Sequence, residues 1–133
     1  LDHVAIFLLI AGTYTPFGLL VLSDGPQQLM VVWSLALTGV LLKFMVRFRF
    51  QGAFLLLYLA TGWSVAIGME RALAEIEATP MALLIAGGIA YTTGVAFHLR
   101  KSWRWYSAIW HAFVLVASML HFGAVWATIG ARV

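Results

Sequence analysis

Five long apolar runs, at residues 4–22, 29–46, 53–69, 81–99 and 108–129, make up most of the chain. Each has about the 17–25 residues that a helix needs to cross the hydrocarbon core of a bilayer. None alternates with the period of two that marks a barrel strand, so the pattern predicts five helices. The links between them are short, which makes neighbouring helices antiparallel. Ser23-Asp24-Gly25-Pro26 has the composition of a turn. Gln51-Gly52 marks a second break, and Thr79-Pro80 reads as a cap followed by proline at the first helical position. Inside the first run, Thr13, Tyr14 and Thr15 precede Pro16. The expected result is a kinked packing helix whose threonines meet the carbonyl that proline frees.

Composition turns these helices into membrane spans. The 133 residues are 63% hydrophobic and only 10% charged, against roughly 25% charged in soluble domains. A soluble fold of this size could not hide so much apolar surface. The fold class expected is therefore all-α: a polytopic transmembrane helix bundle, with residues 1–133 as a single transmembrane domain. With no cysteine, disulfides and thiolate metal sites are excluded. The net charge of +3 does not point to nucleic acid, because the basic residues sit between apolar runs and report topology instead. No basic region or small-residue cleavage site precedes the first run, so it does not read as a signal peptide. Since residue 1 is Leu, the chain is expected to continue a longer protein.

Charge gives the expected orientation. Lys43, Arg47, Arg49, Arg100, Lys101 and Arg104 fall on one side, and only Arg71 and Arg132 on the other. The positive-inside rule puts the first group in the cytoplasm. The Asp2 end is then cytoplasmic, the C-terminus lies outside, and the membrane is the plasma (inner) membrane. Trp103, Trp105 and Tyr106 read as an interfacial aromatic belt, with Trp126 at the other face. Glu70, Glu75 and Glu77 read as the solvated face of a short outer loop.

Candidate chemistry is confined to a few polar residues. The last run carries His111 and His121, ten positions or about 15 Å apart on a helix. They cannot share a metal ion, so His111 needs a partner from another helix. An ionisable group in a membrane span usually faces a protein interior. Asp2 opens the first run, where an acid is equally read as a helix cap or dipole partner; it lies at the same expected side as His111, and a carboxylate holding an imidazole is a standard element of metal and general-base sites. Ser107, four residues before His111, should share its helix face. His121 reads as a hydrogen-bonded core histidine and His98 as an interfacial one. A proton relay through His111 and His121 is a weaker alternative. Gly12, Gly18, Gly87, Gly88 and Gly94 could allow close helix packing, and Ala90 with Gly94 fits a small-xxx-small contact. The ordinary glycine content of membrane helices is the simpler reading. Leu8–Gly12 and Leu83–Gly87 both spell LLIAG, which in so apolar a chain reads as coincidence. No nucleophile motif, phosphate loop or nucleotide fingerprint is present.

Two stretches together resemble the hemolysin III family, the bacterial branch of the progestin and adipoQ receptor superfamily. One is Leu1-Asp2-His3-Val4-Ala5-Ile6 running into Leu9-Ile10-Ala11-Gly12-Thr13-Tyr14-Thr15-Pro16-Phe17; the other is Ala108-Ile109-Trp110-His111 through Phe113-Val114-Leu115 to His121-Phe122. The resemblance covers essentially the whole chain. It implies a seven-helix membrane fold, of which these five spans are the last five, and a zinc site near the cytoplasmic face. It further implies that histidines hold the zinc beside an Asp and a Ser, in the manner of membrane amide hydrolases. Asp2 matches the family's Asp, and His111 the second His of its H-x-x-x-H pair. Ser107 stands where the first His of that pair belongs, and the family's S-x-x-x-H motif, on a helix before Asp2, is absent. Zinc is thus expected in the complete protein and weakly or not at all in this chain, because a catalytic zinc usually takes three protein ligands.

Two functions of different class follow. One is a metal-dependent membrane hydrolase acting on a lipid-like amide, with Asp2 as catalytic residue and His111 as metal ligand. The other is a non-enzymatic pore-forming (cytolytic) or membrane-homeostasis protein. The expected partners are the lipid bilayer, a lipid-like substrate and the N-terminal helices missing from this sequence, with no nucleic acid.

Overall fold

The structure is a computed structural model. It describes the backbone of residues 2–45, 51–64 and 68–131, and the side chains of 4–45, 56–64, 68 and 70–131. Six helices follow one another: α1 (Asp2–Leu20), α2 (Gly25–Met45), α3 (Gln51–Trp63), α4 (Met69–Glu75), α5 (Ala78–Leu99) and α6 (Tyr106–Gly130). No strand occurs among the described residues. The all-α class follows from the sequence pattern as expected.

Three helices, α2, α5 and α6, are long and apolar enough to cross a membrane, and Val4–Leu20 is a shorter apolar helix. Of the third apolar run, the described residues hold the helix α3 of 13 residues, which begins directly after residues 46–50, outside the described ones. The rest of that run passes residues 65–67, which are outside the described ones, and its last residue, Met69, begins α4.

The chain divides into two compact units, Leu1–Ile76 and Glu77–Val133. In the first, α1 pairs with α2, and α3 packs on both. The seam is built from small and aromatic residues in step. Phe7, Ala11 and Gly18 are buried on α1; Gly25, Val32, Ala36 and Gly39 are buried on α2. The Phe7 ring lies over Gly39, in the space a Cβ there would need. The same ring meets Tyr58 of α3 at 4.4 Å between centroids. Gly25 packs on the backbone of Gly18, so the helices touch where the chain turns.

The second unit is the antiparallel hairpin α5–α6. Its seam has a seven-residue period: Pro80, Gly87 and Gly94 on α5, and Trp110, Ala117 and Ala124 on α6. A seven-residue repeat keeps one face in contact along two long helices crossing at a small angle. Gly87 and Gly94 therefore have a packing role beyond ordinary glycine content. A Cβ on Gly94 would stand 2.8 Å from the Cβ of Phe113, and one on Gly87 would overlap the His121 ring. Gly12, by contrast, is exposed and faces open space. The two LLIAG segments thus share letters and no common environment.

The proline expectations need adjustment. Thr13 and Thr15 donate from Oγ1 to the carbonyls of Leu9 and Ala11, each at 2.8 Å. Both carbonyls precede that of Gly12, which is the one Pro16 frees, because a residue bonds four positions back. Helix α5 starts at Ala78 with Glu77 as its N-cap, so Thr79 and Pro80 lie within the first turn. Proline is tolerated there because the first amides of a helix have no intrahelical acceptor.

Candidate functional site

The seam of the α5–α6 hairpin decides where the site residues of α6 can point. Trp110 is 3% exposed and faces α5, its ring 5.3 Å from that of His98. Its neighbour His111, a hundred degrees further round the helix, is exposed, as is Ser107. Ser107 and His111 lie four residues apart on one face. They head a stripe continued by Leu115, Met119, Phe122 and Trp126, all exposed within the unit. A polar pair thus caps an otherwise apolar face. The expectation that His111 is enclosed is not met within its own hairpin. Hydropathy marks the run as embedded but does not say which side a neighbouring helix covers.

His121 belongs to the opposite face. It is half-buried against α5, with Nε2 3.3 Å from the Leu84 carbonyl oxygen. Tyr91 adds a ring contact at 5.6 Å, and its hydroxyl lies 3.0 Å from Ser118 Oγ. Ser118 in turn donates to the Val114 carbonyl at 2.7 Å. This is the hydrogen-bonded core histidine read from the sequence. His98, read as interfacial, is half-buried between Tyr106 and Trp110.

Asp2 is the first residue of α1, and its side chain lies outside the described residues, as do His3, Arg47, Arg49 and Arg132. Asp2 and His111 fall in different units. No three His, Cys, Asp or Glu side chains come together among the described residues. In the second unit His111 offers one ring nitrogen and Ser107 a neutral hydroxyl. Those two donors fall short of the three protein ligands of a catalytic zinc, so the described residues do not fit that metal by themselves.

The first unit holds a polar cluster that sequence reasoning missed. The Tyr14 hydroxyl donates to Gln28 Oε1 at 2.6 Å. Gln28 Nε2 donates to both Asp24 oxygens, at 3.0 and 3.1 Å. Arg71 of α4 pairs with Asp24 Oδ2 at 3.1 Å. Beside it, Glu75 accepts from the Ser23 amide at 2.7 Å and from its hydroxyl at 2.6 Å. These two hydrogen bonds, hydroxyl first and amide second, hold the Glu75 carboxyl below its usual range. Tyr14, Asp24, Gln28, Ser64 and Gly68 line a cavity of about 220 Å³. The residues read as a solvated outer loop therefore include a short helix tied to the first turn by two links. One signal was available: Arg71 is the sole cation of its link, and Asp24 the sole acid of the other.

Comparison with known proteins places this arrangement in a family. The Haemolysin-III related family matches residues 1–122. Hemolysin-3 of Bacillus cereus is 41% identical over 127 residues, covering 94% of this chain and 58% of that protein. The Hemolysin-3 homolog of Bacillus subtilis (strain 168) is 42% identical over 129 residues, covering 94% and 60%. The monocyte to macrophage differentiation factor of Homo sapiens is 28% identical over 129 residues, covering 94% and 52%. The chain thus spans somewhat more than half the length of these relatives. No solved structure matches it. With its family match over nearly the whole length and its apolar helices, the chain belongs to the haemolysin III-related family of membrane proteins.

Proposed function

We propose that this chain is part of a membrane-embedded hydrolase of lipid-like amides, with its reaction site near the cytoplasmic face. The observation that carries the reading is the Ser107–His111 pair, the polar head of an apolar stripe on α6. A site for a lipid-like substrate needs both chemistries side by side. In this reading Asp2 is the catalytic carboxylate and His111 the imidazole that works with it. The carboxylate orients the imidazole, which holds the water that attacks the amide carbonyl. Ser107 shares the helix face of His111, while His121 is engaged with α5. A zinc ion held by His111 would need further donors beyond the described residues.

The test uses the full-length protein in proteoliposomes supplied with a long-chain N-acyl amino alcohol, with fatty-acid release measured by mass spectrometry. His111→Ala and Asp2→Asn are each expected to lower the rate by at least about a hundredfold, the usual contribution of a general base. Undiminished release in His111→Ala would defeat the reading. A second reading, membrane permeabilisation, draws on the name of the Bacillus cereus relative, Hemolysin-3. It predicts dye leakage from vesicles that is indifferent to His111→Ala.

A further inference from the structure

The link between α5 and α6 joins two helices long and apolar enough to cross a membrane, so it stands at the depth of lipid headgroups. Its sequence is Arg100-Lys101-Ser102-Trp103-Arg104-Trp105, and every residue in it is exposed. Three cations fall within five positions. The whole second unit has one acidic side chain, Glu77, the N-cap at the other end of α5. That end is about 33 Å away along a helix of 22 residues. The hairpin thus carries no carboxylate side chain able to neutralise Arg100 and Arg104.

The link is also shaped. The Trp103 ring lies 5.6 Å from that of Phe97, and the Arg104 guanidinium sits 5.6 Å over the Trp105 ring. The backbone turns through Arg100 N–H to the Phe97 carbonyl and Trp103 N–H to the Arg100 carbonyl, at 3.0 and 3.1 Å. Trp105 caps α6 without a side-chain hydrogen bond, so the first-turn amides of that helix point towards the same layer. Guanidinium forks bind phosphate oxygens in pairs, helix N-termini favour anions, and indoles settle at headgroup depth.

We propose that residues 100–105 form a docking surface for the headgroups of anionic phospholipids. Arg100 and Arg104 take the phosphates, Lys101 adds long-range attraction, and Trp103 and Trp105 anchor the turn at headgroup depth. The inference depends neither on the hydrolase reading nor on which side of the membrane the turn faces.

The experiment places the full chain in nanodiscs of phosphatidylcholine with a minority of phosphatidylglycerol. Native mass spectrometry then counts the lipids retained on the protein as the disc is removed. Phosphatidylglycerol is expected to be enriched about fivefold or more over its supplied share, the effect of a single cation near a charged surface. Enrichment should fall to near unity in the Arg100→Gln/Arg104→Gln variant, and in about 1 M salt, where the screening length is about 3 Å. Arg71→Gln removes a cation of the first unit already paired with Asp24 and should leave the enrichment in place. Circular dichroism and a melting curve establish that each variant keeps its fold. Retention in proportion to supply, persistence of enrichment in the double variant, or equal loss in Arg71→Gln would each overturn the proposal.

Discussion

The imidazole of His121 lies against Gly87, in the space that a Cβ at position 87 would occupy. The glycine gives room to the ring, and the ring reaches the Leu84 carbonyl, 3.3 Å from Nε2. Gly87→Ala forces one of them to move. Overpacking a tight contact costs about 1–3 kcal/mol, so this variant should unfold at a clearly lower denaturant concentration in detergent micelles. Gly12→Ala, which faces open space, should stay within about 0.5 kcal/mol of the parent.

His111 and His121 should separate in their effects. His121 is tied to α5, and its loss removes a hydrogen bond and leaves a cavity behind. His111 is exposed on its hairpin. His111→Ala is expected to cost less stability than His121→Ala while lowering any hydrolase rate at least about a hundredfold. His121→Ala should lower stability by about 1–3 kcal/mol, from the lost hydrogen bond and the cavity left against α5. Intrinsic tryptophan fluorescence during unfolding reports both.

The clamp between the first turn and α4 should respond to acid. Hydrogen bonds from Ser23 hold the Glu75 carboxyl below its ordinary range. A carboxyl lowered on folding stabilises the fold above its unfolded pKa, about 4.3 for Glu, and loses that contribution as pH falls through the folded value. The melting difference between the parent and Ser23→Ala is therefore expected at neutral pH and should fade on acidification below that range. A difference that stays constant down to the lowest pH tolerated would show that Glu75 is not its source.

Tyr14→Phe removes the hydroxyl that donates to Gln28 at 2.6 Å. About 1 kcal/mol of stability should go with it. Gln28→Ala should then cost less in the Tyr14→Phe background than in the parent, because the two residues share one bond. Additive losses in this cycle would mean that the contact contributes nothing.

Orientation is open to a direct experiment. Lys101→Cys should resist an impermeant thiol reagent added outside the cell, and Glu70→Cys should react. The opposite pattern would reverse the positive-inside assignment.

The sequence by itself determined the class of the protein and where most of its helices run. Hydropathy and run length mark an embedded helix whatever it packs on, and the match of Asp2, Tyr14–Phe17 and Trp110–His111 to a family pattern needs no coordinates. Charge in the links likewise carries an orientation argument. Tertiary structure decided what depends on direction around a helix axis or on contact between distant segments. A run of twenty apolar residues looks alike on every side, so Trp110 facing α5 and His111 facing away could not be read from it. Gly12 and Gly87 occur in the same five-letter word, yet only Gly87 receives a neighbouring ring, because only the partner helix makes the difference. Pairing of Asp24 with Arg71 and of Ser23 with Glu75 arises because folding brings together two turns about fifty residues apart, a proximity that no local pattern records.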